Sequence, residues 1–158
     1  GWFVDRKGSL RVSKAIEGIP ENDVYSIFIG EGPEEPNNRN ILFKGKVTHN
    51  DVPLYLNAAD VFVLPTLQEG CCNAVVEAMA CGLPVISSNL PFNWDVLNTD
   101  NSIMVDPLNV EEIKQAIIKL RDNIKLRENM SIAALNMARE LTIQERAAKI
   151  LSFIQSRM

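Results

Sequence analysis

Val61-Phe62-Val63-Leu64-Pro65-Thr66-Leu67-Gln68-Glu69-Gly70-Cys71-Cys72-Asn73-Ala74-Val75-Val76-Glu77-Ala78-Met79-Ala80-Cys81-Gly82-Leu83-Pro84-Val85-Ile86 is the stretch that decides the fold. It opens with a short apolar, partly β-branched run and crosses a polar turn holding Glu69 and Gly70. Helix-compatible residues follow to Ala80, and an apolar run returns at Pro84. That order is strand, loop, helix, strand. In open parallel sheets ligands bind beyond the carboxyl ends of the strands, where the following helix aims its free N–H groups. Glu69 and Glu77 fall at that mouth.

The same alternation extends to both sides. Gly1-Trp2-Phe3-Val4 reads as the end of a strand, broken by Asp5-Arg6-Lys7-Gly8. Domains seldom begin in mid-element, so the chain is expected to be a piece of a longer one. Leu10, Ala15, Ile16 and Ile19 recur at near-helical spacing before Pro20. Val24 to Ile29 and Ile41 to Phe43 are strands, and a helix is expected over about 50–58, capped by Thr48, Asn50 or Asp51. After the central unit come a loop at 87–91, a short helix over 92–97 and a strand at Ile103-Met104-Val105. From Asn109 onward the pattern is helical, with one apolar face on Val110, Ile113, Ala116, Ile117 and Leu120. A second face is expected on Ile132, Leu135, Met137 and Leu141, and a third on Ile150, Leu151 and Ile154. Short strands that are apolar on both faces, alternating with helices, predict an α/β fold. It is a Rossmann-like, doubly wound parallel sheet of about six strands with helices on both faces and extra C-terminal helices.

Composition narrows the function classes. At 158 residues and 46% apolar content the chain has the size of one domain with a real core. A net charge of −4 argues against a nucleic-acid binder working through a broad basic surface. Three cysteines, Cys71 and Cys72 adjacent, lack framework spacing and read as reduced, cytosolic thiols. A single histidine, His49, leaves no His/Cys cluster for zinc, so no metal is expected. No apolar run approaches the roughly 20 residues that span a bilayer, and nothing present resembles a signal peptide, so a soluble chain is expected.

Glu69 on the loop and Glu77 on the helix are both placed to face a ligand at the strand ends. A carboxylate such as Glu77 accepts two bonds from a vicinal diol such as ribose, each worth roughly 1.5–3 kcal/mol. The amides of Gly70, Cys71, Cys72 and Asn73 open the helix and suit an anion. Arg6, Lys7 and Gly8 repeat the arrangement at the first strand end, and Gly30-Glu31-Gly32 suits close approach of a ligand. Each has a plain alternative when taken singly: a helix-dipole carboxylate, an ordinary turn acid, solvated turn cations, a simple glycine turn. The dinucleotide fingerprint is missing, because the third glycine and its helix are absent.

These stretches together resemble the C-terminal, donor-nucleotide-binding half of a retaining glycosyltransferase of the GT-B fold, in the large glycogen-synthase-like group. The matching segments are Arg6-Lys7-Gly8, Gly30-Glu31-Gly32-Pro33, Phe43-Lys44-Gly45-Lys46-Val47, 56–66, Glu69-Gly70 and Glu77-Ala78-Met79-Ala80-Cys81-Gly82-Leu83-Pro84-Val85. The resemblance implies that Glu77 holds the ribose hydroxyls and Glu69 contacts the transferred sugar. It implies that Lys7, with Arg6 and Gly8, meets the diphosphate, and that Gly70, Cys71, Cys72, Asn73 and Ala74 line sugar and diphosphate. Gly45, Lys46 and Val47 would bind the base. The donor is a nucleotide-diphosphate sugar, with no metal required. The whole of 1–158 would be the donor domain, with the acceptor glycan or lipid-linked sugar bound by an N-terminal domain outside this chain. Residues 142–158 would cross back to that domain, leaving an apolar face open here. The chain alone is expected to bind nucleotide weakly and not to transfer sugar.

Three positions depart from the family pattern. Trp2 stands where an arginine is common, so either Arg6 supplies the guanidinium or the phosphate is held less tightly. Cys71-Cys72 replaces residues often aromatic or glycine and proline, and Asp95 stands where glutamate is frequent. A non-catalytic sugar-nucleotide-binding or scaffold module of the same fold is the alternative reading, and Trp2 is its hint. The implied setting is cytoplasmic glycan or polysaccharide assembly, with room for peripheral association at the inner membrane face through the missing domain. No nucleic-acid partner is implied.

Overall fold

The computed structural model describes residues 1–69 and 73–157. Its elements are α1 (Ser9–Glu17), β1 (Ser26–Ile29), β2 (Ile41–Gly45), α2 (Val52–Asn57), β3 (Phe62–Leu64), α3 (Asn73–Ala80), β4 (Val85–Ser88), β5 (Ser102–Val105), α4 (Val110–Asp122), α5 (Ile124–Glu140) and α6 (Ile143–Gln155). All strand pairings are parallel, β1 with β2 and β3–β4–β5 in that order.

Successive side chains of a strand point to opposite faces, and the core divides accordingly. Val63, Ile86, Ile103 and Val105 face a layer made by Val12, Ala15, Ile16 and Ile19 of α1 and its turn with Ile113, Ala116, Ile117 and Leu120 of α4. Phe62, Leu64, Val85 and Met104 face the other way, onto Val75 and Met79 of α3 and Ala134 and Ala138 of α5. A sheet coated by helices on both faces is the doubly wound arrangement. β4 is buried along its whole length, whereas β1 and β3 are half-buried throughout.

Among the described residues five strands form, one fewer than the sequence suggests. The opening segment makes a single parallel bridge, Trp2 to Glu31, because the chain turns away at Asp5 after two residues of pairing. Gly1 N donates to Ile29 O at 2.7 Å and Phe3 N to Glu31 O at 2.5 Å. Gly30 and Gly32 sit at φ 149° and 150° with the backbone of Gly1 and Phe3 where a side chain would begin. Their openness is filled by the protein's own chain, not left for a ligand.

Other boundaries shift for local reasons. Helix α2 starts from a 3₁₀ turn at His49–Asp51, and no side chain caps either; Thr48 Oγ1 donates instead to Asp51 Oδ2 at 2.7 Å. Ser87 and Ser88 belong to β4, and in place of the expected 92–97 helix a 3₁₀ turn forms at Pro91–Asn93. Helix α5 buries Met130, Ala134 and Ala138, one residue every four, while Ile132 is 60% exposed. The small alanines let α3 and the sheet approach, which a stripe of larger residues would prevent. Capping is clean at the end of the chain. Asn109 Oδ1 accepts from Glu111 N and Glu112 N, Asn123 Oδ1 from Leu126 N, and Thr142 Oγ1 from Glu145 N.

Arg121 of α4 gathers Glu21 and Asp23, each at 3.0 Å, and Asp122 at 2.7 Å. Its hydrogen bonds hold the Glu21 and Asp122 carboxyls below the usual carboxylate range, and the guanidinium pKa rises further. A depressed carboxylate pKa adds stability above its unfolded value, and that stability is lost as pH falls through the folded value. Stability is therefore expected to decline on acidification below about pH 4.5. Urea denaturation across pH should show Arg121→Ala flattening that acid limb; an unchanged slope would refute the linkage.

Candidate functional site

The carboxyl ends of the strands carry the polar residues, and the opening segment brings two of those ends together. The 3₁₀ turn Asp5–Lys7 ends at Gly8, whose φ of 77° suits glycine. A Cβ there would lie 2.7 Å from Pro65 O, so the turn packs directly against the end of β3. Arg6 O accepts from Leu67 N at 2.8 Å and lies 3.0 Å from Thr66 Oγ1. This contact places Lys7 opposite Glu69, 62 residues away in sequence, and Lys7 Nζ donates to Glu69 Oε1. The two side chains keep 24% and 13% of their accessibility. They form a mostly sheltered cation–carboxylate pair that an incoming ligand can reach.

A buried polar layer supports the pair from below. Thr66, Ser87 and Ser88 are wholly buried and Asn93 nearly so. Ser88 Oγ donates to Thr66 O, Ser87 Oγ to Leu64 O at 2.8 Å, and Asn93 Nδ2 to Ser88 O at 2.8 Å. Thr66 Oγ1 also lies 3.3 Å from Glu69 Oε1. Buried polar groups persist when paired, and this set fixes the loop on which Glu69 stands. Sequence reading missed it. The available signal was two serines running straight on from an apolar strand, a polar pair where burial was expected.

Arg6 is exposed and donates once, from Nη1 to Gln68 O at 3.0 Å. Its other guanidinium N–H groups make no hydrogen bond among the described residues. Glu77 sits one turn into α3, half-buried, on the side away from the buried Val75, Ala78 and Met79. Its carboxylate makes no hydrogen bond or ion pair among the described residues. One turn further on, burial and then the Glu77 charge push the Cys81 thiol pKa up. Asn73 and Ala74 are exposed at the start of α3. Gly70, Cys71 and Cys72 lie outside the described residues.

Gly45, Lys46 and Val47 stand at the end of β2. Gly45 O accepts from Gly30 N at 2.8 Å, and Lys46 Nζ pairs with Glu31 Oε1 at 2.5 Å on an exposed surface. Beside them opens a shallow groove lined by Phe43, Lys46, Val47, Thr48, Asp51 and Tyr55. The Phe43 and Tyr55 rings there are 5.2 Å apart and tilted by 35°. The structure thus joins Arg6, Lys7, Gly8 and Glu69 directly. Gly45–Val47 connect to the same edge through Glu31 and the opening segment.

The sequence profile described as glycosyl transferases group 1 matches residues 1–123. The chain belongs to that family. Among its group 1 relatives, an Escherichia coli UDP-Gal:alpha-D-GlcNAc-diphosphoundecaprenol alpha-1,3-galactosyltransferase is 31% identical over 139 residues, covering 78% of this chain and 35% of the relative. The E. coli O-antigen chain mannosyltransferase B is 30% identical over 122 residues, covering 77% and 31%. The chain therefore spans about a third of the curated glycosyltransferases it matches. The Anabaena protein HepE, solved with UDP-glucose, superposes with a TM-score of 0.82 at 20% identity, covering 96% of this chain and 47% of HepE. That likeness shows the fold.

In this glycosyltransferase domain, Thr66→Val keeps side-chain volume and removes the buried hydroxyl beside Arg6 O and Glu69. Chemical denaturation is expected to show a loss of about 1–3 kcal/mol. Wild-type stability in the variant would mean that the hydroxyl does not support the turn.

Proposed function

We propose that the chain is the C-terminal, donor-binding half of a retaining GT-B glycosyltransferase that moves a sugar from a nucleoside-diphosphate sugar to an acceptor during glycan or polysaccharide assembly. The observation that carries this reading is the sheltered Lys7–Glu69 pair at the carboxyl edge of the sheet; Glu77 stands on the following helix, its carboxylate unpartnered among the described residues. A nucleotide sugar offers a group for each. Lys7 and the Arg6 N–H groups left free among the described residues meet the diphosphate, Glu69 meets the transferred sugar, and Glu77 accepts from the ribose hydroxyls. The groove at Phe43, Val47 and Tyr55 takes the base. HepE, of the same fold, is solved with UDP-glucose, so uracil is the first base to test.

In the reaction, the bond from the anomeric carbon to the diphosphate oxygen breaks. A bond from the acceptor oxygen to that carbon forms on the same face of the sugar. The acceptor's proton passes to the departing phosphate. Lys7 stabilises the charge that grows on this leaving group, a differential interaction of the kind that lowers the barrier. No divalent metal is needed for that neutralisation. The acceptor belongs to a second lobe outside this chain. Ile150, Leu151, Phe153 and Ile154 of α6 are half or more exposed, which fits a helix that packs on that lobe. No helix among the described residues is long and apolar enough to cross a membrane; the proposed setting is the cytoplasm, at the inner membrane face through the other lobe.

Calorimetric titration with UDP-, GDP- and ADP-sugars should show one nucleotide bound. Glu77→Ala should weaken it about tenfold or more, the worth of one or two charge-assisted bonds. Binding unaffected by Glu77→Ala would contradict the site, and sugar transfer by this chain alone would contradict the division of labour between lobes.

A further inference from the structure

Arg11 is the feature of the donor edge that neither the motif reading nor the proposed chemistry uses, and its geometry is unusual. It lies in the first turn of α1, where the helix dipole disfavours a cation, and within five residues of Arg6 and Lys7. Its side chain retains 11% of its accessibility, while the carboxylate it pairs with, Asp5, retains 68%. Nη1 donates to Asp5 Oδ1 and Nη2 donates to Asp5 O at 2.7 Å. Nε is buried with no partner among the described residues. A mostly sheltered cation at the wrong end of a helix, with one N–H unused among the described residues, is a poor device for stability alone.

What the guanidinium does hold is the turn that presents Lys7. Asp5 O also accepts from Gly8 N at 3.0 Å, closing the 3₁₀ turn. Arg11 Nη2 lies 3.1 Å from the place a Cβ would occupy on Gly8, with Pro65 O on the other side at 2.7 Å. The turn is thus gripped from α1 by Arg11 at Asp5. From the loop after β3 it is gripped by Thr66 and Leu67 at Arg6 O. Lys7 is the next residue, and its ammonium reaches Glu69 from a backbone fixed at both preceding positions. Releasing either grip leaves the Lys7 side chain in place chemically and frees its direction.

We infer that Arg11 is a positioning residue for diphosphate recognition: its two-pronged hold on Asp5 aims Lys7 at the phosphates of the donor without touching the donor. The inference rests on the donor-site reading above. A lysine at position 11 retains the charge and cannot span both Asp5 acceptors. Asn at position 5 retains the shape and removes the charge, and being exposed it leaves the core untouched.

The test uses this chain with UDP, GDP and ADP, each titrated beside its own nucleoside, in wild type, Arg11→Lys, Asp5→Asn and Lys7→Ala, with thermal unfolding recorded for each. The expected result is a drop of about tenfold in the diphosphate-to-nucleoside affinity ratio for Arg11→Lys, the scale of one charge-assisted contact. Nucleoside affinity should be unchanged, Asp5→Asn should show a smaller drop in the same ratio, and Arg11→Lys should add nothing in the Lys7→Ala background. A ratio that stays at the wild-type value, or diphosphate and nucleoside affinities that fall together, overturns the inference while leaving the donor site standing. Should Arg11→Lys fail to fold, Asp5→Asn decides by the same ratio. A wild type that binds none of the diphosphates overturns the donor-site reading and this inference with it.

Discussion

The carbonyl of Arg6, accepting from Leu67 N with Thr66 Oγ1 alongside, is the point on which the rest of the candidate site depends. The strands form two hydrogen-bonded groups, β1–β2 and β3–β4–β5, and the opening segment touches both. On one side its backbone pairs with residues 29–31; on the other its turn docks on the loop after β3. A backbone carbonyl near the sheet edge needs a donor, and the donors come from the loop that carries Glu69. Satisfying one peptide group thereby sets a cation from the start of the chain against a carboxylate 62 residues later. Glycine at position 8 is what allows the approach, because any side chain there would meet Pro65.

The apolar core and this polar edge are physically separable. Alternation along β3, β4 and β5 divides the core into two layers, α1 with α4 on one face and α3 with α5 on the other. Each layer is buried by non-directional hydrophobic forces that tolerate change in the loops. The polar layer of Thr66, Ser87, Ser88 and Asn93 lies at the boundary between the two regimes. It is directional, fully buried and hydrogen-bonded, which makes it stiff. A stiff support beneath an edge where Glu77 and Arg6 keep unused hydrogen-bonding capacity among the described residues suits a site that must be ready before its ligand arrives.

The doubly wound architecture was legible because it rests on periodicity, which survives in a single sequence. Val61 to Leu64, the helix through Ala80 and the return at Val85 all appear in the structure within a residue or two. Lys7 and Glu69 were singled out through family resemblance, since nothing in Arg6-Lys7-Gly8 alone distinguishes a phosphate site from a turn; what the structure adds is that the two side chains pair. Contacts between distant segments were not legible. The grip of Arg11 on Asp5, the donors on Arg6 O and the buried serines of β4 follow from tertiary geometry that no local pattern encodes. The ligand-approach reading of Gly30 and Gly32 fails for the same reason: their openness is local, but the backbone that fills it comes from residues 1–3. The missing sixth strand follows from the single bridge at Trp2, and the buried stripe of α5 from alanines whose role is close packing.

The central claim is that one nucleoside-diphosphate site spans the edge from Lys7 through Glu69 and Glu77 to Gly45–Val47. Amide chemical-shift mapping of this chain with UDP tests it most directly, because each segment reports separately. The account predicts shifts at 6–8, at 45–47, at 66–69 and in the first turn of α3, with the β5–α4 edge around Ile103 and Gln115 silent. Shifts centred on that β5–α4 edge, with 6–8 and 66–69 silent, would contradict it.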